Sequence, residues 1–153
     1  MRLTLHFVRS LQDVLSTMAS TKVTVGKPVR KLDPIATHDV SGIIGFSGDF
    51  VGSMVLSFQM PAALGIVKAF AGVDCAPTSL EFTDAIGELA NMIAGSAKTH
   101  FGGTSISIPT VVVGAGHLIA RMHDIPCILI PCVTSHGNFA VEVNVKSVAA
   151  QTR

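Results

Sequence analysis

Residues 82–98, FTDAIGELANMIAGSAK, constrain the fold of this chain more than any other segment. Their apolar residues recur every three or four positions, which predicts an amphipathic helix. The apolar face, turned to the core, carries Phe82, Ile86, Leu89, Ile93 and Ala97. The opposite side carries a narrow polar stripe, made of Asp84, Glu88, Asn91, Gly95 and Lys98. The sequence therefore predicts one long helix with its polar stripe in solvent.

Small residues, Gly87, Ala94 and Gly95, border the polar stripe. A glycine inside a helix costs about 0.5–1 kcal/mol relative to alanine, so two of them beside an exposed acid and amide need a reason. A flat helix face would let another surface press against Glu88 and Asn91, which predicts a docking site. The alternative is that Glu88 and Asn91 are ordinary solvated residues and that the glycines admit close packing on the core.

The side chains of Glu88 and Asn91 suit a reaction whose activated substrate is brought by a partner. The Asn91 amide does not titrate and cannot be a general base, but it can hold a water molecule in line with an electrophile. Such positioning works best on an activated leaving group, for example an acyl phosphate. The Glu88 carboxylate can pair with a cation on the partner and fix the register of docking.

The length and composition fit one cytoplasmic domain over residues 1–153. Apolar residues make up 48% of the sequence and charged residues 14%, below the usual quarter. No apolar run reaches the roughly 18 residues of a membrane span, and Arg9 and Asp13 interrupt the N-terminal apolar pattern, unlike a signal peptide. The net charge of +1 gives no footprint for nucleic acid. We expect neither nucleic acid nor membrane as a partner.

The cysteines and histidines predict no cofactor of the protein's own. Cys75, Cys127 and Cys132 are odd in number and lie in apolar or turn contexts, which disfavours a disulfide framework. His123 is close to Cys127 and Cys132, but the spacing matches neither CxxC nor HExxH, so we expect no metal site. The six histidines have no recognisable nucleophile partner.

An internal duplication is predicted from two similar helical patterns, because residues 7–18 superpose without gaps on residues 82–93. Each is followed by an extended segment and by two strands joined at a Gly-Asp or Gly-Asn turn. Strands are predicted over residues 21–29, 41–47 and 54–58, then 104–113, 127–134 and 141–145, with a short helix over residues 61–70. We therefore expect an α/β (α+β) fold, in which two long helices pack on a mainly antiparallel sheet. Its pseudo-two-fold halves would span about residues 1–60 and 78–150, although helix–strand–hairpin units look alike by composition alone.

The duplication predicts that only the second helix is functional. In the superposition Asp13 falls on Glu88 and Ser16 falls on Asn91. Aspartate is too short to reproduce the reach of glutamate, and a serine hydroxyl cannot replace a carboxamide. We therefore interpret the first helix as a vestige and not as a second site.

The string Asp84-x-x-x-Glu88-x-x-Asn91, continued by Met92-Ile93-Ala94-Gly95, resembles the signature helix of the CheC/CheX family of bacterial chemotaxis phosphatases. The strand-like residues 106–114, ISIPTVVVG, are similar to the continuation of that motif. With one complete motif, the chain is most like the CheX-type members. The resemblance covers most of the chain, but the residues specific to it are few.

The resemblance implies a function. CheX-like proteins accelerate dephosphorylation of CheY, a response regulator that carries phosphate on an aspartate and holds its own Mg²⁺. By motif position, Asn91 would orient the hydrolytic water and Glu88 would contact the active-site lysine of the partner. Asp84 matches the leading position of the motif and is expected, with Gly87, Gly95 and Lys98, to border the docking surface. Metal ligands on this chain are not expected.

A homodimer is expected from the apolar tracts at residues 109–113 and 125–131, which are β-prone and could form an exposed sheet edge. The resemblance implies a dimer joined through the sheets, with two independent motif helices. The alternative is that these strands are central and covered within one chain.

Three other functions remain possible at this point. A response-regulator binder or motor-switch adaptor of the same superfamily would dock without hydrolysis, although docking alone would not require both Glu88 and Asn91. A small-molecule enzyme using a cysteine or histidine is disfavoured, because the sequence shows no group of catalytic residues around either residue type. A structural oligomer subunit is suggested only by the apolar composition.

Overall fold

In the part of the chain that the structure describes, three helices lie against one face of an antiparallel sheet. The computed structural model describes residues 2–148. The helices are α1 (Arg2–Ala19), α2 (Met60–Ala71) and α3 (Leu80–Lys98). The sheet in these residues has eight strands, β1 (Thr24–Val25), β2 (Val29–Lys31), β3 (Val40–Gly48), β4 (Phe50–Phe58), β5 (Thr104–Ile106), β6 (Thr110–Val113), β7 (Cys127–Thr134) and β8 (Gly137–Ser147). The predicted α+β class is confirmed. Nowhere in residues 2–148 does a helix combine the length and apolarity needed to cross a membrane.

The strand pairing has a pseudo-two-fold arrangement. The hairpins β3–β4 and β7–β8 lie side by side, because β4 pairs with β8 from Phe50↔Ser147 to Phe58↔Phe139. The short strands β5 and β6 extend the first hairpin by pairing with β3. The short strands β1 and β2 extend the second hairpin by pairing with β7. Each half of the chain thus adds short strands to the hairpin of the other half. The bounds of the half-repeats and the single-domain organisation remain predictions.

Two strands that were expected to be continuous are each divided in two. Residues 21–29 hold β1 and the start of β2, and residues 104–113 hold β5 and β6. A proline lies in each break, at Pro28 and Pro109. Proline lacks the N–H that a continuous ladder needs, so the prediction of two unbroken strands was wrong.

The apolar tract at residues 125–131 is not an exposed sheet edge, which corrects the expectation from sequence. Its strand, β7, pairs with β8 on one side and with β1 and β2 on the other. A strand covered in this way can be apolar throughout, and Ile130 and Cys132 are buried. The other apolar tract, at residues 109–113, contains β6. Within residues 2–148, β6 pairs only with β3, so this tract does lie at an edge of the sheet.

Close packing of α3 on β3 fixes the height of the helix above the sheet. A Cβ atom at Gly42 in β3 would lie 3.2 Å from the Ala90 Cβ and 3.2 Å from the Ile86 Cγ2. Since Gly42 has no side chain, α3 can approach the strand to this distance. The apolar face of α3 is buried as predicted, at Phe82, Ile86, Leu89, Ile93 and Ala97.

A buried carboxylate holds loops on the other face of the sheet. Glu142 in β8 alternates with core-facing valines, and its side chain is 1% exposed. Arg121 Nη1 donates to Glu142 Oε1 at 3.2 Å, and Thr37 Oγ1 donates to Oε2 at 2.8 Å. Arg121 also donates to the Asp33 carbonyl oxygen. Burial raises the pKa of Glu142, and the Thr37 hydrogen bond and the charges of Lys31 and Arg121 oppose that effect.

This raised pKa predicts how stability changes with pH. A carboxyl group whose pKa is higher in the folded than in the unfolded state favours folding most when it is protonated. Its contribution is therefore full below the unfolded pKa and is lost as pH rises through the folded pKa, by about 1.4 kcal/mol per unit of separation. We expect the unfolding free energy of the wild type, minus that of Glu142→Gln, to fall in urea titrations as pH rises above the ordinary pKa of a glutamate, about 4.3. A difference that rises with pH would show that the Arg121 pair outweighs burial.

Candidate functional site

Local interactions define where α3, the helix that carries Glu88 and Asn91, begins. Ser79 is its N-cap, and the Ser79 Oγ accepts a hydrogen bond from the Phe82 backbone N–H at 3.2 Å. The buried positions of α3 then turn toward the sheet, and the residues between them turn outward. Glu88 and Asn91 are both exposed on this outward side, as the sequence predicted.

An open groove of about 830 Å³ lies along the outward side of α3. Its helical wall carries Thr83, Asp84, Gly87, Glu88 and Asn91. Its second wall comes from β5, β6 and the residues that join them, Ile106, Ser107, Ile108, Pro109 and Val111. The groove brings Asp84, Glu88 and Asn91 together, whereas Gly95 and Lys98 lie further along α3, outside the residues that line the groove.

The electrostatics of the groove favour a cationic partner. The ionisable side chains among its described lining residues are the carboxyl groups of Asp84 and Glu88. The two hydroxyl groups in the walls bond to backbone carbonyls: Thr83 Oγ1 donates to Leu80 O at 3.1 Å, and Ser107 Oγ donates to Ile108 O at 2.9 Å. The groove can therefore pair with a positive charge at Asp84 and Glu88, and the exposed Asn91 carboxamide beside them can both donate and accept hydrogen bonds.

The two helix glycines have different surroundings. A Cβ atom at Gly95 would have no neighbour within 4 Å, so this residue leaves the helix face open, as expected. A Cβ atom at Gly87 would lie 3.2 Å from Pro109 Cγ and 3.5 Å from Val111 Cγ2. Gly87 is buried and admits close packing within the chain, so the expected flat, exposed surface at this position is wrong.

The second wall of the groove was missed as a site by the sequence analysis. The pattern of residues 106–114 predicts only a strand that follows the motif helix. Pro109 was the available signal, since a proline inside a strand-like run indicates an edge or a break. The break returns the chain to α3 and places Ser107, Ile108 and Pro109 opposite Glu88 and Asn91.

The corresponding helix of the first half has a different surface. Asp13 and Ser16 are exposed on α1, and α1 packs against α3. Their side chains are a shorter acid and a hydroxyl, so α1 does not reproduce the acid–amide pair of α3. The interpretation of α1 as a vestige remains a prediction.

The described cysteines are placed for packing and not for nucleophilic chemistry. Cys127 and Cys132 are buried in β7, and Cys75 is half-buried. Burial raises the pKa of the Cys132 thiol to about 12, and burial also raises the pKa of Cys127. The reactive thiolate is therefore disfavoured at neutral pH. In residues 2–148 no three histidine, cysteine or acidic residues are grouped so that they could hold a metal ion.

Known proteins share both the sequence pattern and the fold. The family model described as chemotaxis phosphatase CheX matches residues 40–133. The CheY-P phosphatase CheX of Thermotoga maritima is 30% identical over 142 residues, which cover 90% of this chain and 89% of that protein.

Solved structures with similar folds extend this likeness. The chemotaxis protein CheX from Desulfovibrio desulfuricans has a TM-score of 0.86 and 34% identity, covering 96% of this chain and 99% of that chain. The CheX–CheY–BeF3–Mg²⁺ complex from Borrelia burgdorferi has a TM-score of 0.77 and 20% identity, covering 94% of this chain and 97% of that chain.

Proposed function

Because this chain belongs to the CheX family of chemotaxis phosphatases, we propose that it hydrolyses the aspartyl phosphate of a CheY-like response regulator. The observation that carries the proposal is the placement of Glu88 and Asn91. Both are exposed, three residues apart on α3, at one open groove. In this proposal the groove receives the phosphorylated face of the regulator, and the reaction takes place in the cytoplasm.

Asn91 is the residue that positions the hydrolytic water. Its carboxamide can accept a hydrogen bond from the water and donate one to a phosphoryl oxygen, without a change in protonation. Water held in line with the phosphorus atom attacks, the bond to the aspartyl oxygen breaks, and inorganic phosphate leaves. Because an acyl phosphate has a good leaving group, orientation supplies most of what the protein must add.

Glu88 is the residue that fixes the register of docking. With Asp84 it makes the helical wall of the groove acidic, which complements the active-site lysine of a response regulator. The docking surface extends along α3 to Asp84, Gly95 and Lys98. Gly87 contributes to this surface indirectly, through its packing on Pro109.

The partner supplies the Mg²⁺ that neutralises the phosphoryl oxygens. The described groove offers an amide and two carboxyl groups, on one helix, and no third acidic or imidazole ligand beside them. In the related Borrelia burgdorferi structure, CheX is present together with CheY, BeF3 and Mg²⁺. This chain then contributes water orientation and docking, and the regulator contributes the phosphate, the metal ion and the lysine.

A homodimer joined through the side of the sheet away from the helices completes the proposal. Exposed apolar side chains gather on the loops that cover this side, where Leu32 is 83% exposed and Leu118 is 69% exposed. Ile35 and Leu118 form an isolated antiparallel bridge, which links the two loops. Since α3 packs on the opposite face, each protomer would keep its own groove free.

The role of Asn91 predicts a selective loss of rate. Asn91→Ala should lower the rate constant for phosphate release about 100-fold, because the water is no longer held in line. Folding should be unaffected, since Asn91 is exposed. The measurement is phosphate release from the phosphorylated regulator, with Ser16→Ala on α1 as the matched control at wild-type rate. Full activity of Asn91→Ala would show that Asn91 has no part in the mechanism. A wild-type protein that binds the phosphorylated regulator without accelerating phosphate release would indicate the adaptor function.

The role of Glu88 predicts a loss of affinity. Glu88→Ala should raise the Kd for the BeF3–Mg²⁺ form of the regulator about tenfold, and Glu88→Gln should lie between because it keeps hydrogen-bonding capacity without charge. Calorimetry measures both, with Asp13→Ala on α1 as the control expected to bind normally. If both Glu88 variants bind like the wild type and only the rate falls, Glu88 acts in the transition state and not in docking.

The proposed homodimer predicts that the protein in solution has the mass of two chains. Light scattering at micromolar concentration should give a dimer, and Leu118→Lys should shift it to a monomer because a charge is placed in an apolar interface. Val73→Lys, at a residue that is 61% exposed in the loop between α2 and α3, is the control and should leave the dimer intact. A wild-type monomer would contradict the proposal.

A further inference from the structure

The connection between β5 and β6 presents a highly exposed aliphatic side chain in the groove. Ile108 is 85% exposed and lines the groove together with Glu88 and Asn91. Single exposed aliphatic residues are common on protein surfaces and by themselves need no explanation. Two features distinguish Ile108, the way its backbone is held and the chemistry of the wall to which it belongs.

Contacts on both sides hold the backbone of Ile108 in place. On one side, Ser107 N donates to Gly45 O at 2.9 Å, and Ser107 Oγ accepts from Gly45 N at 2.9 Å. Ser107 Oγ also donates to the Ile108 carbonyl oxygen at 2.9 Å. On the other side, Pro109 packs on Gly87 of α3. Ile108 is thus attached to the central sheet and to the functional helix.

The two walls of the groove differ in chemistry. The wall from β5, β6 and their connection contributes the apolar side chains Ile106, Ile108, Pro109 and Val111. The facing wall on α3 contributes the acidic side chains of Asp84 and Glu88. A surface that fills the groove must therefore present a cation to one wall and an apolar side chain to the other. In the proposed function the active-site lysine of the response regulator is that cation.

We propose that Ile108 is a specificity contact that packs against an apolar side chain of the response regulator beside its phosphorylated aspartate, and that Gly87 is the positioning residue that lets Pro109 hold Ile108 there. This inference rests on the proposed function and identifies a second, apolar part of the same interface. A backbone that is already fixed does not have to be ordered on binding, so less of the free energy gained by burying the Ile108 side chain is lost to ordering the loop. Regulators with a polar residue at the contact would bind weakly.

The test uses the CheY-type regulators of the same organism, each loaded with BeF3 and Mg²⁺ for binding and phosphorylated for turnover. Ile108→Ser should raise Kd and KM about tenfold and leave kcat unchanged, since Ile108 has no polar side-chain atom near the reacting phosphate. Ile108→Leu should restore most of the affinity. Val73→Ser, an equally conservative truncation at an exposed aliphatic residue outside the groove, should bind like the wild type.

The outcomes separate this inference from the proposed function. Wild-type binding by Ile108→Ser, together with loss of turnover in Asn91→Ala, would overturn the inference and leave the function intact. A fall in kcat at unchanged Kd would also overturn it, because Ile108 would then act on the reaction and not on docking. If the wild type accelerates phosphate release from none of the regulators, the proposed function fails and the inference fails with it.

The positioning role of Gly87 is tested by coupling to Ile108. Gly87→Ala places a Cβ atom 3.2 Å from Pro109 Cγ, so the proline ring must give by a few tenths of an ångström, and in this proposal the shift is passed to Ile108. Gly87→Ala should therefore raise Kd in the wild type but add little in the Ile108→Ser background. Additive effects of the two substitutions would show that Gly87 acts on α3 alone and would overturn its positioning role.

Discussion

The close approach of α3 to β3 is the constraint on which the functional surface depends. Gly42 allows Ile86 and Ala90 to pack directly on the strand. Because β3 also pairs with β5 and β6, the strand that sets the height of α3 carries the second wall of the groove. The distance between the acid–amide pair and the facing apolar residues is therefore set by the packing of α3 on Gly42, by the pairing of β5 and β6 with β3, and by the contact of Gly87 with Pro109. A change in the packing on Gly42 would alter both walls together.

In the proposed function, a chemically simple site is sufficient because the substrate arrives already activated. The groove provides a carboxamide, two carboxyl groups and an apolar wall, and each of these recognises or orients without a proton transfer. Enzymes that must activate a poor leaving group need nucleophiles, shifted pKa values or metal ions in their own site. Here the groups whose pKa is raised by burial, Cys127, Cys132 and Glu142, belong to β7 and β8 and do not line the described groove. The energetic demand on this protein falls on recognition.

The sequence predicted those parts of the structure that local pattern determines. The amphipathic period of residues 82–98 identified α3, its buried face and the exposed pair Glu88 and Asn91. The breaks in two strands had a local signal, in Pro28 and Pro109, that the predicted strand bounds did not take into account. The interior position of β7 was not predicted, because strand pairing joins residues far apart in sequence and leaves a weak local pattern. The second wall of the groove was missed for the same reason. The contact of Pro109 with Gly87 became visible only once both elements had been placed.

The crossed pairing of the two halves has a consequence for how the chain folds. Since β1 and β2 complete the hairpin of the second half, and β5 and β6 complete the hairpin of the first, neither half contains its whole sheet. The separated halves would each lack the outer strands that cover a hairpin edge and would expose unpaired backbone groups. Formation of the sheet must therefore wait until most of the chain has been synthesised and loops of high sequence separation have closed. The same crossing favours cooperative folding, because neither hairpin gains its outer strands until the other half of the chain is in place.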